Sequence, residues 1–335
     1  MRALGPAELR RALCALGDEL RDLVVTSRAG GVAMAEVEGR TAADTIYRVD
    51  QIADDALLGC VERHLPDVLV VSEGLEAPVA VGEPRWTVIV DTVDGTRGLM
   101  VDKRPAWVLA AAAPLGGTIV DVVAAAMTEI PTTKQWAADQ LSAVRGGGVV
   151  GERLDVRSGR RSPLQPRPST ATTVEHGWVS FAKFFPPGKA LVAEFEERLW
   201  RELYGEVPVE LAVFDDQYLS SGGQLAELVV GHDRMVVDVR PLAFTQLGLR
   251  GPVACHPYDI CTALVLEEAG GVVTDPWGDP LDVPLDTTTP VAWVGYANAA
   301  LAAALGPAVR AAAEATFPAA VRPGPAAPAG PRPSR

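Results

Sequence analysis

The feature that most limits how this chain can fold is residues 85–100, RWTVIVDTVDGTRGLM. Trp86, Thr87, Val88, Ile89 and Val90 form an aromatic and β-branched run that reads as a buried strand. It leads straight into Asp91 and Asp94, three residues apart, and into a Gly95-Thr96 turn. Asp-Gly alone is a common turn dipeptide, and a carboxylate before a helix is a common cap. Three such places read together ask for more. Glu73 follows VLVVS, Asp91 and Asp94 follow WTVIV, and Asp259 opens the apolar stretch 258–271. Carboxylates at element ends can converge from distant parts of a chain, and an unpaired cluster is costly without a positive partner.

The totals bound what such a cluster is for. At 335 residues the chain suits two domains or one large two-part unit, and 48% hydrophobic residues supply a core. Its apolar runs are too short or too interrupted to span a bilayer, so no membrane partner is expected. The start, MRALGPAELRRALCALGDEL, scatters charges through its apolar positions and reads as an amphipathic helix, not a secretory signal. A formal charge of −13 argues against nucleic acid, whose binders concentrate positive charge. Small anionic substrates stay open where metal ions supply local positive charge. Cys14, Cys60, Cys255 and Cys261 show no zinc-type spacing, and reduced thiols in a cytoplasmic protein are the plain reading.

Periodicity places the elements. Ile52, Ala56, Leu57, Cys60, Val61 and Leu65 recur at helical spacing over 50–65, closed by Pro66. Strands are predicted at 67–71, 86–90, 106–113, 119–127, 234–239 and 291–297. Helices are predicted at 188–204, from the Ser220-Ser221 pair to Gly231, at 258–271, and after a cap at Asn298. The Pro-, Ser-, Arg- and Thr-rich stretch 159–173 is the candidate joint or long surface loop. It divides an N-terminal α+β domain, 1–160, with most of the acids, from a C-terminal α/β domain, 161–317, with Asp259. The tail 318–335 has six prolines in eighteen residues and is expected to be disordered.

No histidine–cysteine ligand set accompanies the acids, and all-oxygen ligands suit Mg²⁺ or Mn²⁺. Two such ions held close together make a clamp for phosphoryl chemistry. Gly95 and Thr96 would add backbone N–H groups at a helix N-terminus, which favour a phosphate. The spacing Asp-x-x-Asp-Gly-Thr misses by one residue the Asp-x-Asp pattern of haloacid-dehalogenase-type phosphatases, whose aspartate is a nucleophile.

In these residues the chain resembles the inositol monophosphatase superfamily of Mg²⁺-dependent, typically lithium-sensitive phosphatases. The first family signature, Asp-Pro-Ile/Leu-Asp-Gly-Thr, is matched by Asp91-Thr92-Val93-Asp94-Gly95-Thr96. The second, Trp-Asp and then an apolar helix ending Glu-Ala-Gly-Gly, is matched by Tyr258-Asp259 and Glu268-Ala269-Gly270-Gly271. Glu73 stands for the upstream glutamate, Asp50 for an aspartate opening the preceding helix, and LSSGGQLAELVVG at 219–231 for the Gly-Ser-Ala-Ala helix. The resemblance runs in order over residues 40–300. It implies an α+β (α/β) fold, a layered αβαβα sandwich of the inositol monophosphatase / fructose-bisphosphatase type. It implies a first Mg²⁺ on Glu73, Asp91 and the Val93 carbonyl, a second on Asp91, Asp94 and Asp259, and a third, weaker ion at Glu73. Thr96, with Glu73 and Asp50 behind it, would orient and deprotonate the attacking water. Asp94, Gly95, Thr96, Ser220 and Ser221 would contact the substrate.

The expected function is hydrolysis of a small phosphorylated sugar, inositol or other cyclitol by a cytoplasmic homodimer. The runners-up are a fructose-1,6-bisphosphatase-like or adenosine 3′,5′-bisphosphate nucleotidase-like activity and a non-catalytic relative that binds a phosphorylated ligand. The intact set Glu73, Asp91, Asp94, Thr96 and Asp259 argues against the last. Departures from the family pattern are Thr92 for proline, Tyr258 for tryptophan, Gly74 for a second glutamate and Arg48 for a small hydroxyl residue. Arg97, Lys103 and Arg104 are candidate phosphate contacts, and His256 is expected to pack beside the site. The segment 238–257 is longer than the family's usual link, so a substrate other than plain inositol monophosphate is expected.

Overall fold

A computed structural model describes residues 4–40, 45–206, 212–249 and 253–318. All but the first residue of the tail 318–335 lies outside the described residues.

The larger sheet has eight strands in the order Arg161–Leu164, Val149–Asp155, Ala137–Val144, Ala124–Ile130, Ala106–Pro114, Trp86–Asp94, Val68–Ser72, Val79–Val81. Strand alternation splits its side chains between two cores. Val88, Val90, Val108, Ala110 and Ala112 pack under the helices Pro6–Ala29 and Arg48–His64. Ile89, Leu109, Ala111 and Met127 point the other way, into a core shared with the helix Ser221–Val230. Beyond that helix lies a five-stranded sheet in the order Val213–Phe214, Gly177–Phe181, Asp233–Asp238, Trp293–Tyr296, Val272–Thr274. The helices Lys189–Tyr204 and Ala299–Thr316 belong to the same core, with Phe195 edge-on to Phe181 at 6.1 Å. The layers run helix, sheet, helix, sheet, helix, as the expected sandwich requires.

Local chemistry sets the helix ends. Ser220 accepts a hydrogen bond from the Gly223 amide at 2.8 Å, and Asn298 from the Leu301 amide at 2.9 Å. Four predicted elements change. The strand beginning at Trp86 continues past Val90 to Asp94. The segment 119–127 divides into a 3₁₀ turn, Ile119–Asp121, and the strand Ala124–Ile130, because Asp121 caps back onto the Thr118 amide at 3.0 Å. The helix 258–271 is two short helices, Pro257–Ile260 and Ala263–Glu268, separated where Thr262 leaves helical dihedrals at φ −93°, ψ 14°. Within 159–173, residues Arg161–Leu164 pair with Val149–Asp155, and the crossing to the second sheet comes after them. Among the described residues no helix is long and apolar enough to cross a membrane.

The N-terminal helix shows how closely the outer layer sits. Its buried face of Leu9, Leu13, Leu16 and Leu20 includes Gly17, where a Cβ would stand 2.3 Å from Thr128 Oγ1. Gly17→Ala would gain up to about 1 kcal/mol of helix propensity. It would lose about 1–3 kcal/mol to overpacking against a wholly buried Thr128. The expected net result is a thermal midpoint lowered by a few degrees in a calorimetric scan; a raised midpoint would show that the helix does not lie this close.

Candidate active site

The site grows from one strand pairing. Val68–Ser72 and Trp86–Asp94 run parallel, in register from Val68↔Trp86 to Ser72↔Val90. Glu73 follows the last paired residue of the shorter strand and Asp91 follows its partner Val90, so the two acids stand next to each other. Asp91 and Asp94 pose a harder problem, because residues three apart on a regular strand face opposite sides. A bulge resolves it. The register against the next strand passes from Asp91↔Leu109 to Asp94↔Trp107, three steps against two. The extra residue lets both carboxylates line one cleft. Gly95 follows in a left-handed conformation, φ 101°, ψ 21°, with room for no side chain: a Cβ would stand 3.0 Å from that of Ser220. The helix it opens, Thr96–Leu99, is a single turn. Its dipole therefore adds little to the phosphate attraction expected at Gly95 and Thr96.

The third aspartate comes from the helix Pro257–Ile260, where Asp259 Oδ2 accepts from the His256 amide at 2.7 Å. One oxygen from each of Asp91, Asp94 and Asp259 lies within 4.8 Å of the others. Asp94 is the most firmly held. Its Oδ2 accepts from Ser220 Oγ at 2.7 Å and the Gly222 amide at 2.6 Å, and its Oδ1 from the Ser221 amide at 3.3 Å. Burial raises the Asp94 carboxyl to about 6, while these hydrogen bonds and Arg240 draw it down. Burial and then the charges of Asp94, Asp259 and Glu73 push Asp91 upward; burial and then Asp94 do the same to Asp259. Two buried acids and a half-buried third, destabilising one another's charge and offering only oxygen donors, fit a hard divalent cation.

Glu73 is exposed and lines the same cleft, but stands outside the three-acid cluster. Thr96 Oγ1 donates to Asp50 Oδ1 at 2.7 Å, with the Val93 carbonyl as a second acceptor at 2.8 Å. Asp50 is fixed in turn by the Tyr47 amide on Oδ2, at 2.9 Å. Ser220 and Ser221 reach the cleft through Asp94, as just described. Arg97 lines the cleft, whereas Arg48 pairs with Glu38 at 2.6 Å and Arg104 with Asp216 at 2.8 Å. His256 stacks on Tyr258, ring centroids 5.4 Å apart, as expected of a packing residue.

Sequence reasoning missed four residues here. Asp54 accepts from Thr92 Oγ1 at 2.7 Å beside the acids. Its signal was present, because Asp50 and Asp54 are one helical turn apart on the same face. Arg240, Phe184 and Phe185 line the same cleft. They come from segments with no metal-ligand pattern, so spacing could not single them out.

Solved structures share this architecture. Fructose-1,6-bisphosphatase from Leishmania major superposes with a TM-score of 0.68 at 13% identity, covering 91% of this chain and 93% of its own. The extragenic suppressor protein SuhB from Bartonella henselae gives 0.65 at 17%, covering 90% and 98%. The IMPase of Thermotoga maritima gives 0.58 at 16%, covering 90% and 96%. The chain has the fold of the inositol monophosphatase superfamily. No protein-family model and no curated protein sequence matches it.

The cluster predicts opposite responses with and without cation. Mg²⁺ or Mn²⁺ at about 100 times its dissociation constant should stabilise the fold by about 2.7 kcal/mol. Asp259→Asn should reduce that gain while stabilising the metal-free protein, since one of three neighbouring like charges is gone. Thermal melts with and without cation check both signs; an unaltered Mg²⁺ response in the variant would remove Asp259 from the cation site.

Proposed function

We propose that the protein is a divalent-cation-dependent phosphomonoesterase acting on a small phosphorylated sugar, inositol or other cyclitol. The observation that carries this reading is the convergence of Asp91, Asp94 and Asp259 within 4.8 Å in one cleft that Thr96 also lines, while its partner Asp50 lines a second cavity that shares Asp91 and Thr96 with it. Mg²⁺, with Mn²⁺ as the alternative, would be held by Glu73, Asp91, the Val93 carbonyl, Asp94 and Asp259. Bound there, such ions polarise phosphoryl oxygens and lower the pKa of water.

The chain's own groups do the positioning and the proton handling. The Thr96 hydroxyl has Asp50 Oδ1 and the Val93 carbonyl as acceptors for its one hydrogen, and its oxygen lone pairs can accept from the attacking water. As the water's oxygen bonds to phosphorus, its proton passes to Thr96 Oγ1 and the threonine proton passes to Asp50 Oδ1. The phosphorus–oxygen bond to the alcohol breaks on the opposite side, and the alcohol departs with a proton from solvent. Asp94, immobilised by three donors, keeps its position while the charge around it changes. Glu73, exposed at the strand end, can meet a second cation. Phosphate monoesters need about 20 kcal/mol of barrier lowering, and positioning with electrostatics is the available source.

Phosphate release with Mg²⁺ across inositol, hexose, cyclitol and nucleotide phosphates tests the reading. Activity on one class, abolished by EDTA and lowered about a hundredfold or more by Asp94→Asn, is the expected result. Cation binding without release of phosphate from any member would favour a non-catalytic phosphate-ligand binder. The same proposal includes a cytoplasmic homodimer. Light scattering checks the assembly, and a monomer mass at micromolar concentration would rule it out.

A further inference from the structure

The bulge that turns Asp91 and Asp94 into one cleft lacks the support of a regular strand. On one side, pairing with Val68–Ser72 ends at Ser72↔Val90. On the other, Thr92 and Val93 share the single step between Leu109 and Trp107. A bulge leaves its extra residue without a ladder partner. A constant spacing of the two carboxylates therefore needs a hold from outside the sheet.

The helix Arg48–His64 supplies one. Thr92 Oγ1 donates to Asp54 Oδ1 at 2.7 Å, and Thr96 Oγ1 to Asp50 Oδ1 at 2.7 Å. Asp50 and Asp54 are one helical turn apart on the same face. Thr92 and Thr96 stand two residues before and two residues after Asp94. Two hydroxyl–carboxylate bonds thus run from one helix to the two shoulders of Asp94. The helix is a firm base, because Val49, Ala53 and Leu57, beside the two aspartates, are wholly buried under the large sheet. The Asp50 bond has a place in the proton transfer proposed above. The Asp54 bond has none, and it reaches the stretch that strand pairing leaves unsupported.

Satisfying a buried hydroxyl explains why Thr92, 5% exposed, has a partner. It does not explain a carboxylate in that role. Asp54 lines one cavity with Asp50, Glu73 and Asp91, where another negative charge adds to the repulsion among the acids. A neutral acceptor would satisfy the hydroxyl without that cost. A carboxylate makes the bond charge-assisted and about twice as strong, which suits a position that the sheet itself does not fix.

We infer that Asp54 is a positioning residue of the active site: through Thr92 it holds the bulge that sets Asp91 and Asp94 in one cleft. It acts on the two carboxylates through the backbone between them, not as a ligand. This rests on the cation site of the reading above and not on its substrate.

Direct Mn²⁺ binding, followed by electron paramagnetic resonance, tests it in a double-mutant cycle. Thr92→Val keeps the side-chain shape and removes the hydroxyl. Its Mn²⁺ dissociation constant should rise about tenfold, the lower end of the loss when a partner behind a metal ligand is removed. Thr92→Ser keeps the hydroxyl and should bind as the parent chain does. Asp54→Ala should also weaken binding, and in that background Thr92→Val should add little, because both changes remove the same bond. Phosphate release by Thr92→Val should need about tenfold more Mg²⁺ to reach half its maximal rate.

Unchanged Mn²⁺ binding in Thr92→Val overturns the inference. Equal losses in Thr92→Ser and Thr92→Val also overturn it, since packing and not the hydroxyl would then matter. So do additive losses in the double variant, which would make Asp54 a distant charge. Where Asp54→Ala does not fold, Thr92→Val against Thr92→Ser decides alone. Mn²⁺ binding in the expected ratios without phosphate release supports the tether and overturns the phosphatase reading. No Mn²⁺ binding by the parent chain overturns both.

Discussion

Mutual repulsion among buried carboxylates is the constraint that the rest of the structure answers. At 4.8 Å two like charges repel by about 3 kcal/mol at an effective dielectric of about 20, and three acids make three such pairs. Three features offset this. The start of the helix Ser221–Val230 gives Asp94 two amides and a hydroxyl. Arg240 lowers the pKa of both Asp94 and Asp259 through its charge. The third is the open cleft, whose three acids could hold a cation. Without a cation the first two are not enough, since all three acids stay raised.

Meeting Asp94 with amides dictates small residues around it. A Cβ at Gly222 would stand 2.9 Å from Asp94 Oδ2 and 2.4 Å from Leu109 Cδ2. A Cβ at Gly223 would stand 2.3 Å from the Tyr218 ring. The helix therefore comes close enough to donate only because its first turn carries no bulk. Tyr218 is itself fixed, accepting from Trp107 Nε1 at 3.0 Å and donating to the Pro105 carbonyl at 3.0 Å. Packing between the two sheets and the placement of one carboxylate are thus the same problem.

Features governed by neighbours in sequence were legible. The caps at Ser220 and Asn298, the run into Asp91, and the glycine after Asp94 each follow from a few residues and a backbone rule. What depended on partners far away was not. Period-two logic sends Asp91 and Asp94 to opposite faces, and only pairing with Trp107 and Leu109 creates the bulge that reunites them. Ending the strand at Val90 was the natural error, because acids ordinarily stop a strand. The break at Thr262 lay hidden for a similar reason, inside an apolar run with a continuous helical period. Arg240 and Phe185 meet only because two sheets bring them to one cleft, and no spacing within either segment records that.

Departures from a family pattern look independent in sequence, but two of them meet in space. Gly74 and Thr92 stand where a glutamate and a proline are usual, and both touch Asp54. The Asp54 carboxylate lies where a side chain at residue 74 would begin, its Cγ only 2.2 Å from a Cβ built there. Thr92 supplies the hydroxyl that holds it, at 2.7 Å, which proline lacks. A carboxylate from the helix Arg48–His64 thus occupies the space beside Glu73 that a longer side chain at residue 74 would have used. Its position requires both replacements: any side chain at residue 74 collides with it, and residue 92 without a hydroxyl leaves it half-buried with one donor fewer.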